Sequence, residues 1–400
     1  MKYFLLFIIY CMMTFSCFAQ EALWNISDIQ SPVINKDNTV TFRLYAPKAG
    51  MVEIQGDFLP PVKLRSSQGI LYDGPGKAKM QKFQSGLWVY TTQPLASELY
   101  CYSFLIDGRQ VQDPNNVYQI RDVASVTSIF IIGGGIGDNY NVQDVPHGTV
   151  SKVWYDSPVL GMEQRRMTVY TPAGYETSSR KYPVLYLLHG AGGDEDSWAD
   201  LGRATQILDN LIASGKAEPM IVVMPNGVAS RQAAPGQEPG TMVKPEMWVK
   251  GMMEGSYEKA FPDIMRYVEK HYRTINKKTH RAIAGLSMGG FHTIQISANY
   301  PDKFDYVGPF SAVIISDKPG NNRDFYEDFD KKLDIQFSKV PKLYWTAIGK
   351  ADIFLYEENA RFRKKLDEKG YKYTYMETEG GHIWKDWRIH LTAFIQKIFK

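Results

Sequence analysis

The spacing of apolar residues changes character near residue 133. Between Ser31 and Ile132 it is short-period: Val40, Phe42 and Leu44 alternate with Thr41, Arg43 and Tyr45, as the two faces of a half-buried strand do. The stretches GMVEIQGDF, GLWVYTT and LYCYSFLIDGRQV repeat the pattern between clusters of Pro, Gly, Asn and Asp. No helical period of useful length interrupts them. Residues 20–132 therefore read as a small all-β sandwich. A glycine-rich segment, 133–148, follows and reads as a linker. Its glycines do not complete a dinucleotide fingerprint, because Asp138 occupies the third position.

From Thr149 onward, strand-like and helix-like stretches take turns. RRMTVYTP, YPVLYLLHG, PMIVVMPNG, RAIAG, YVGPFSAV, KLYWTAIG and YKYTYME are compact apolar runs. RATQILDNLIASG, SYEKAFPDIMRYVEKHYR, GGFHTIQISANY, FLYEENARFRKKLDEKG and the closing DWRIHLTAFIQKIF carry helical spacing. This alternation predicts an α/β domain over 149–400, with a mostly parallel sheet covered on both faces.

One turn in that domain carries chemistry. Gly285-Leu286-Ser287-Met288-Gly289 ends a strand and opens a helix, the setting in which G-x-S-x-G lifts a serine above a sheet edge. The glycines are required where a Cβ would collide with neighbouring backbone, and the following helix N-terminus favours the negative charge that acyl transfer develops. Such a serine needs a base and an orienting acid, which this α/β-hydrolase arrangement delivers later in the chain, acid first. Asp352 follows KLYWTAIG and His382 follows YKYTYME on a glycine-rich loop. Glu357 and Glu358 are rival acids on a helical stretch, and His390 is a rival base within the last helix. His189, His271, His280 and His292 precede the acid and read as structural. Oxyanion donors are expected at the backbone amides of Met288 and, in HGAGGDEDSW, Ala191, where Gly190 permits close approach.

Composition narrows the setting. A formal charge of +3 over 400 residues gives no reason to expect nucleic acid as a partner. The seven histidines and three cysteines lack paired metal-ligand spacing, GDEDS lacks that of a calcium loop, and no cofactor is expected. Lys2, the apolar run Tyr3–Phe15 and Cys17-Phe18-Ala19 read as a signal peptide cut after Ala19. The run is too short for a membrane span, and lipid anchoring at Cys17 is disfavoured by the preceding Met-Thr-Phe-Ser. Cleavage leaves Cys101 alone, so export to the periplasm or beyond would come without an internal disulfide.

Two resemblances add to these readings. VTFRLYAPKAGMVEIQGDF, GLWVYTTQPL and YCYSFLIDGRQVQDPNN resemble the glycogen-binding carbohydrate-binding modules of family 48, an immunoglobulin-like sandwich. That implies a domain facing a sugar polymer, with Trp88, Tyr90, Tyr100 and Tyr102 either stacking on sugar or filling the core. YLLHGAGGDEDSW, RATQILDNLIASGKAEPMIVVMPNG, HRAIAGLSMGGF, GKAD and GGHIWKDW together resemble carbohydrate esterase family 1, which includes feruloyl and acetylxylan esterases. The likeness spans the whole α/β domain. Position by position it implies Ser287 as nucleophile, His382 as base, Asp352 as acid, and the Ala191 and Met288 amides as oxyanion donors. The expected substrate is a plant polysaccharide or oligosaccharide ester carrying a hydroxycinnamoyl group. Trp198, Trp248, Phe291 and Trp384 on the catalytic loops are candidate contacts for a flat acyl group. The alternatives are an acetylxylan esterase, a siderophore esterase, or a non-catalytic polysaccharide-binding protein. The segment Arg231–Trp248 is longer than the resemblance leads one to expect and reads as a mobile cover over the site.

Overall fold

The computed structural model describes residues 28–400 except 66–68, 70, 241, 243 and 315–322; the expected signal peptide, with Cys17, lies outside them. Among the described residues no helix is long and apolar enough to cross a membrane.

The N-terminal part is all-β and antiparallel. Val33–Ile34, Val40–Tyr45, Leu87–Thr91 and Gln81–Lys82 form one sheet, and a second is built around the long strand Glu98–Ile106. The inward residues Val40, Phe42, Leu44, Val52, Ile54, Phe104 and Phe130 fill the space between them. Trp88, Tyr100 and Tyr102 belong to this same core, with Trp88 giving its indole N–H to Ala46 O at 2.9 Å. These three rings therefore have almost no face to offer a sugar, and of the four aromatic candidates only Tyr90 is partly open.

The C-terminal part is a mixed eight-stranded sheet. Its strands are β1 (Thr149–Ser157), β2 (Met162–Thr171), β3 (Val184–Leu188), β4 (Ile221–Pro225), β5 (Arg281–Leu286), β6 (Tyr306–Phe310), β7 (Leu343–Gly349) and β8 (Thr374–Thr378). The spatial order is β1-β2-β4-β3-β5-β6-β7-β8, antiparallel through β1, β2 and β4 and parallel from there on. Strand β1 is the one the apolar pattern misses, because it is an edge strand whose residues are mostly exposed or half-buried. The helices are α1 (Ser197–Asp200), α2 (Ala204–Ala213), α3 (Ser256–His271), α4 (Met288–Asn299), α5 (Phe329–Ser338), α6 (Tyr356–Glu368) and α7 (Trp384–Ile395). Helices α2 and α7 cover one face of the sheet; α3, α4, α5 and α6 cover the other.

The two parts share a core. Leu99, Ile120, Ile129 and Tyr140 pack with Leu208, Leu211, Trp387 and Leu391 on the α2/α7 face. Arg388 of α7 crosses this boundary, donating to Glu98 Oε1 at 3.3 Å and to Leu201 O at 3.1 Å, with both charged side chains buried. The glycine-rich segment 133–148 lies in the same layer. It contains a turn of 3-10 helix, Ile136–Asn139, and the Asn210 amide donates to the carbonyls of Asp138, Asn139 and Asn141.

Candidate active site

Ser287 sits between β5 and α4 with φ 53° and ψ −115°, a conformation that non-glycine residues rarely hold. The glycines on either side make the turn possible. A Cβ on Gly285 would lie 2.5 Å from Gly289 O, and one on Gly289 would lie 2.5 Å from His189 O while also striking Leu188 O. Backbone hydrogen bonds then lock the serine: its N–H donates to Phe310 O at 2.9 Å, and its carbonyl accepts from Phe291 N and Val313 N.

The loops after β7 and β8 bring the partners. His382 Nε2 lies 3.0 Å from Ser287 Oγ, and His382 Nδ1 lies 2.8 Å from Asp352 Oδ2. Asp352 is fully buried, and its other oxygen accepts from the amides of Phe354 and Leu355. That arrangement leaves Nδ1 as the donor to the carboxylate and Nε2 free to take the serine proton. Lys350 N donates to Thr378 O and Ala351 N to Gly380 O, so the acid and histidine loops are hydrogen-bonded to each other. Trp387 and Phe354 present ring contacts to the imidazole at 4.9 and 6.2 Å between centroids. The rival acids stay on α6, where Glu357 is exposed.

The rival base His390 is buried in α7 with Thr378 Oγ1 as its partner at 3.1 Å. Burial pushes its pKa down to about 3. Between the unfolded value of about 6.5 and the folded value, the unfolded chain binds a proton that the folded chain refuses. Its contribution is whole above pH ~6.5 and is lost as pH falls toward 3, an effect on the order of 4 kcal/mol. Urea unfolding at about pH 7 and about pH 4 should show a smaller loss for His390→Leu than for the parent. Equal losses would show that His390 does not carry it.

The turn expected to hold the oxyanion follows β3. A Cβ on Gly190 would come 3.3 Å from the Ser287 Cβ, so this turn lies directly against the serine. Among the described residues, neither the Ala191 nor the Met288 amide donates to another protein group. His189, read as structural from the sequence, braces the turn. Gly227 N–H donates to its Nε2 at 2.7 Å, so Nδ1 carries the proton and donates to Gly190 O at 2.8 Å. Burial holds this ring neutral, lowering its pKa to about 4. Its place immediately before the glycine turn is the signal that sequence reading could have used.

The four aromatic candidates separate. Trp198 is 1% exposed, spends its indole N–H on Leu188 O at 2.9 Å, and meets Trp384 edge-on at 5.3 Å. Phe291 is equally buried, against Tyr326 at 5.4 Å. Both are core rings rather than acyl contacts, because α1 and α4 turn them inward. Trp384 is half-buried between Trp198 and Trp387. Trp248 alone is open, at 65% exposure. Next to the triad residues in the chain, Ile353, Phe354 and Ile383 are exposed apolar side chains, and Met247 adjoins Gly192.

The segment Arg231–Trp248 is not uniformly the loose cover expected. Its first half is packed: Ala233 and Ala234 are buried, Ala234 N donates to Glu195 Oε1, and Gln232 N donates to Glu238. Buried Arg166 ties Glu195 and Asp196 to Gln237. Met242, Met247 and Trp248, in the second half, are exposed.

Residues 157–398, more than half of the chain, match the family described as "Putative esterase". The chain belongs to this family of carboxylic ester hydrolases. It is specifically an α/β-hydrolase of the feruloyl-esterase-like, carbohydrate esterase family 1 kind. Over 287 residues it is 31% identical to the endo-1,4-beta-xylanase/feruloyl esterase of Xylanibacter ruminicola, covering 70% of this chain and 36% of that protein. The chain thus spans little more than a third of that relative's length. A solved ferulic acid esterase shares 29% identity at a TM-score of 0.52, covering 63% of this chain and 99% of the other. The enterobactin esterase FES of Shigella flexneri matches 94% of this chain and 97% of its own at a TM-score of 0.61; with 14% identity, this is a likeness of fold.

Proposed function

We propose that the protein is an exported serine esterase that removes hydroxycinnamoyl groups from plant cell-wall polysaccharide. The observation that carries the reading is the unbroken line Ser287 Oγ–His382 Nε2 and Nδ1–Asp352 on a strained turn. His382 takes the Ser287 proton as Oγ attacks the ester carbonyl, and Asp352 stabilises the imidazolium formed. The Ala191 and Met288 amides receive the oxyanion. Collapse breaks the bond to the sugar oxygen, which takes the proton from His382 and leaves as a hydroxyl. Water then repeats the sequence on the acyl-enzyme, releasing the acid and restoring Ser287.

Two features support the acyl group. Phe354 against His382, with Ile353 and Ile383 next in the chain to Asp352 and His382, presents apolar surface at the triad, and exposed Trp248 follows Met247, which adjoins Gly192. Such surface suits a flat aromatic acid better than acetate. Relatives carrying feruloyl-esterase names point the same way. The signal peptide read at 1–19 supports export, and the sandwich resemblance supports a sugar-facing role for residues 20–132.

A panel of methyl ferulate, acetylated xylan and a triscatecholate ester tests the reading. The kcat/KM for methyl ferulate should exceed those of the others by at least about a hundredfold. Fastest turnover of acetylated xylan would make the protein a deacetylase, and of the triscatecholate a siderophore esterase. Trp248→Ala should raise KM for a feruloylated oligosaccharide about tenfold and spare 4-nitrophenyl acetate, since remote binding energy alone is lost. Equal effects on both esters would take Trp248 out of the substrate site.

A further inference from the structure

The oxyanion turn receives two contacts from outside the hydrolase sheet. Both come from one hairpin of the N-terminal sandwich, Gln119–Asp122 paired with Ser125–Ile132. Arg121 forms an ion pair with Asp194, whose side chain is 3% exposed. Val123, at the hairpin tip, places a methyl where a Cβ on Gly192 would lie 2.6 Å away. Helix α1, which continues the oxyanion turn, packs on the strand Gln119–Asp122.

We propose that this hairpin is a working part of the ester site, with Arg121 and Val123 as positioning residues that fix the oxyanion turn and, with it, the Ala191 amide. The inference rests on the reading of Ser287 as nucleophile and Ala191 as oxyanion donor. The turn needs external support because Gly190, Gly192 and Gly193 make its backbone soft, with Gly192 at φ 73°. From inside the hydrolase, the Gly193 N–Gly190 O bond and the His189 bond hold its first residues. Asp194 holds its far end: it accepts from Asp196 N at 3.0 Å on one oxygen and from Arg121 on the other. The hydrolase holds the Asp194 backbone through Ser197, whose Oγ accepts from Asp194 N at 2.9 Å and whose N–H donates to Asp194 O at 3.1 Å, and Arg121 adds a grip on the Asp194 side chain from the sandwich.

Val123 supplies the second reason. It is a β-branched residue at φ 52°, a conformation in which such a side chain is strained. Arg121 Nη1 donates to Val123 O at 2.8 Å and so holds the tip in that state. Glycine would relax the tip, but it would also remove the methyl that rests on Gly192. Strain kept at a tip that touches an oxyanion turn indicates that the contact matters. Displacement of a preorganised donor by about 1 Å is enough to cost about a hundredfold in rate.

The test uses the full chain and 4-nitrophenyl acetate, an ester too small to need a sugar-binding wall. An aryl boronic acid, which forms a tetrahedral adduct on serine, reports the oxyanion site directly. Arg121→Met and Val123→Gly should each lower kcat about 10- to 100-fold with KM within about threefold, and boronate affinity should fall by the same factor. Arg121→Lys should recover most of the loss. Val123→Gly removes strain, so it guards against a folding artefact in Arg121→Met. If Val123→Gly turns over 4-nitrophenyl acetate within about twofold of the parent while Ser287→Ala is dead, the positioning role is overturned and the esterase reading stands. If Ser287→Ala keeps its activity, the esterase reading itself fails. Loss confined to feruloylated oligosaccharides would make the hairpin a substrate wall and likewise overturn the proposal.

Discussion

Ser287→Ala and His382→Ala each lose at least about a thousandfold in kcat on methyl ferulate, and the double variant is scarcely slower than either. The non-additivity is the informative part. Oγ and Nε2 lie 3.0 Å apart and share one proton transfer, so removing either partner forfeits the whole step. Asp352→Asn loses up to about ten-thousandfold, because an amide facing Nδ1 no longer enforces the tautomer that leaves Nε2 as acceptor. Glu357→Gln, on the exposed face of α6, leaves turnover unchanged. Steady-state kinetics alongside circular dichroism checks all five variants. Near-normal turnover in His382→Ala, with loss in His390→Ala, would move the base to the wrong side of the sheet edge and break the mechanism.

Gly289→Ala is expected to be severely damaging for a single added methyl. The added Cβ would meet His189 O at 2.5 Å and strike Leu188 O as well, and neither backbone oxygen can step aside without shifting the end of β3. That strand end leads into the oxyanion turn, so the same methyl disturbs nucleophile and donor together. The expected outcome is a kcat at least about a hundredfold lower, with a stability cost of about 1–3 kcal/mol from overpacking. Turnover close to the parent's would mean that the packing of α4 on β3 is not what holds Oγ in place.

Much of the architecture was legible because it depends on local rules. The strand–turn–helix at Ser287 needs glycines at fixed offsets, and those are visible in any sequence. Asp352 and His382 could be picked out as candidates because strand ends on a parallel sheet deliver successive loops to one edge, and both lie in line with Ser287 in the structure. Aromatic roles were less legible. Trp198 and Phe291 lie near the catalytic loops in sequence, yet whether α1 and α4 turn them inward is a tertiary matter. The same holds for Trp88, Tyr100 and Tyr102, whose alternation fits a core face and a stacking face equally well. The composition of residues 231–238 suggested a loose loop, because the partners that pin it, Arg166 and Glu195, are far away in the chain. The Arg121–Asp194 pair joins residues 73 positions apart, and no spacing rule reports such a contact.

The account stands on Ser287 forming an acyl-enzyme. Rapid mixing with excess methyl ferulate, acid quenching and mass spectrometry of the intact and digested chain tests that directly. A burst approaching one equivalent of methanol should accompany a feruloyl adduct on the peptide that contains Ser287, and both should vanish in Ser287→Ala. An adduct on another residue, or undiminished turnover in Ser287→Ala, would contradict it.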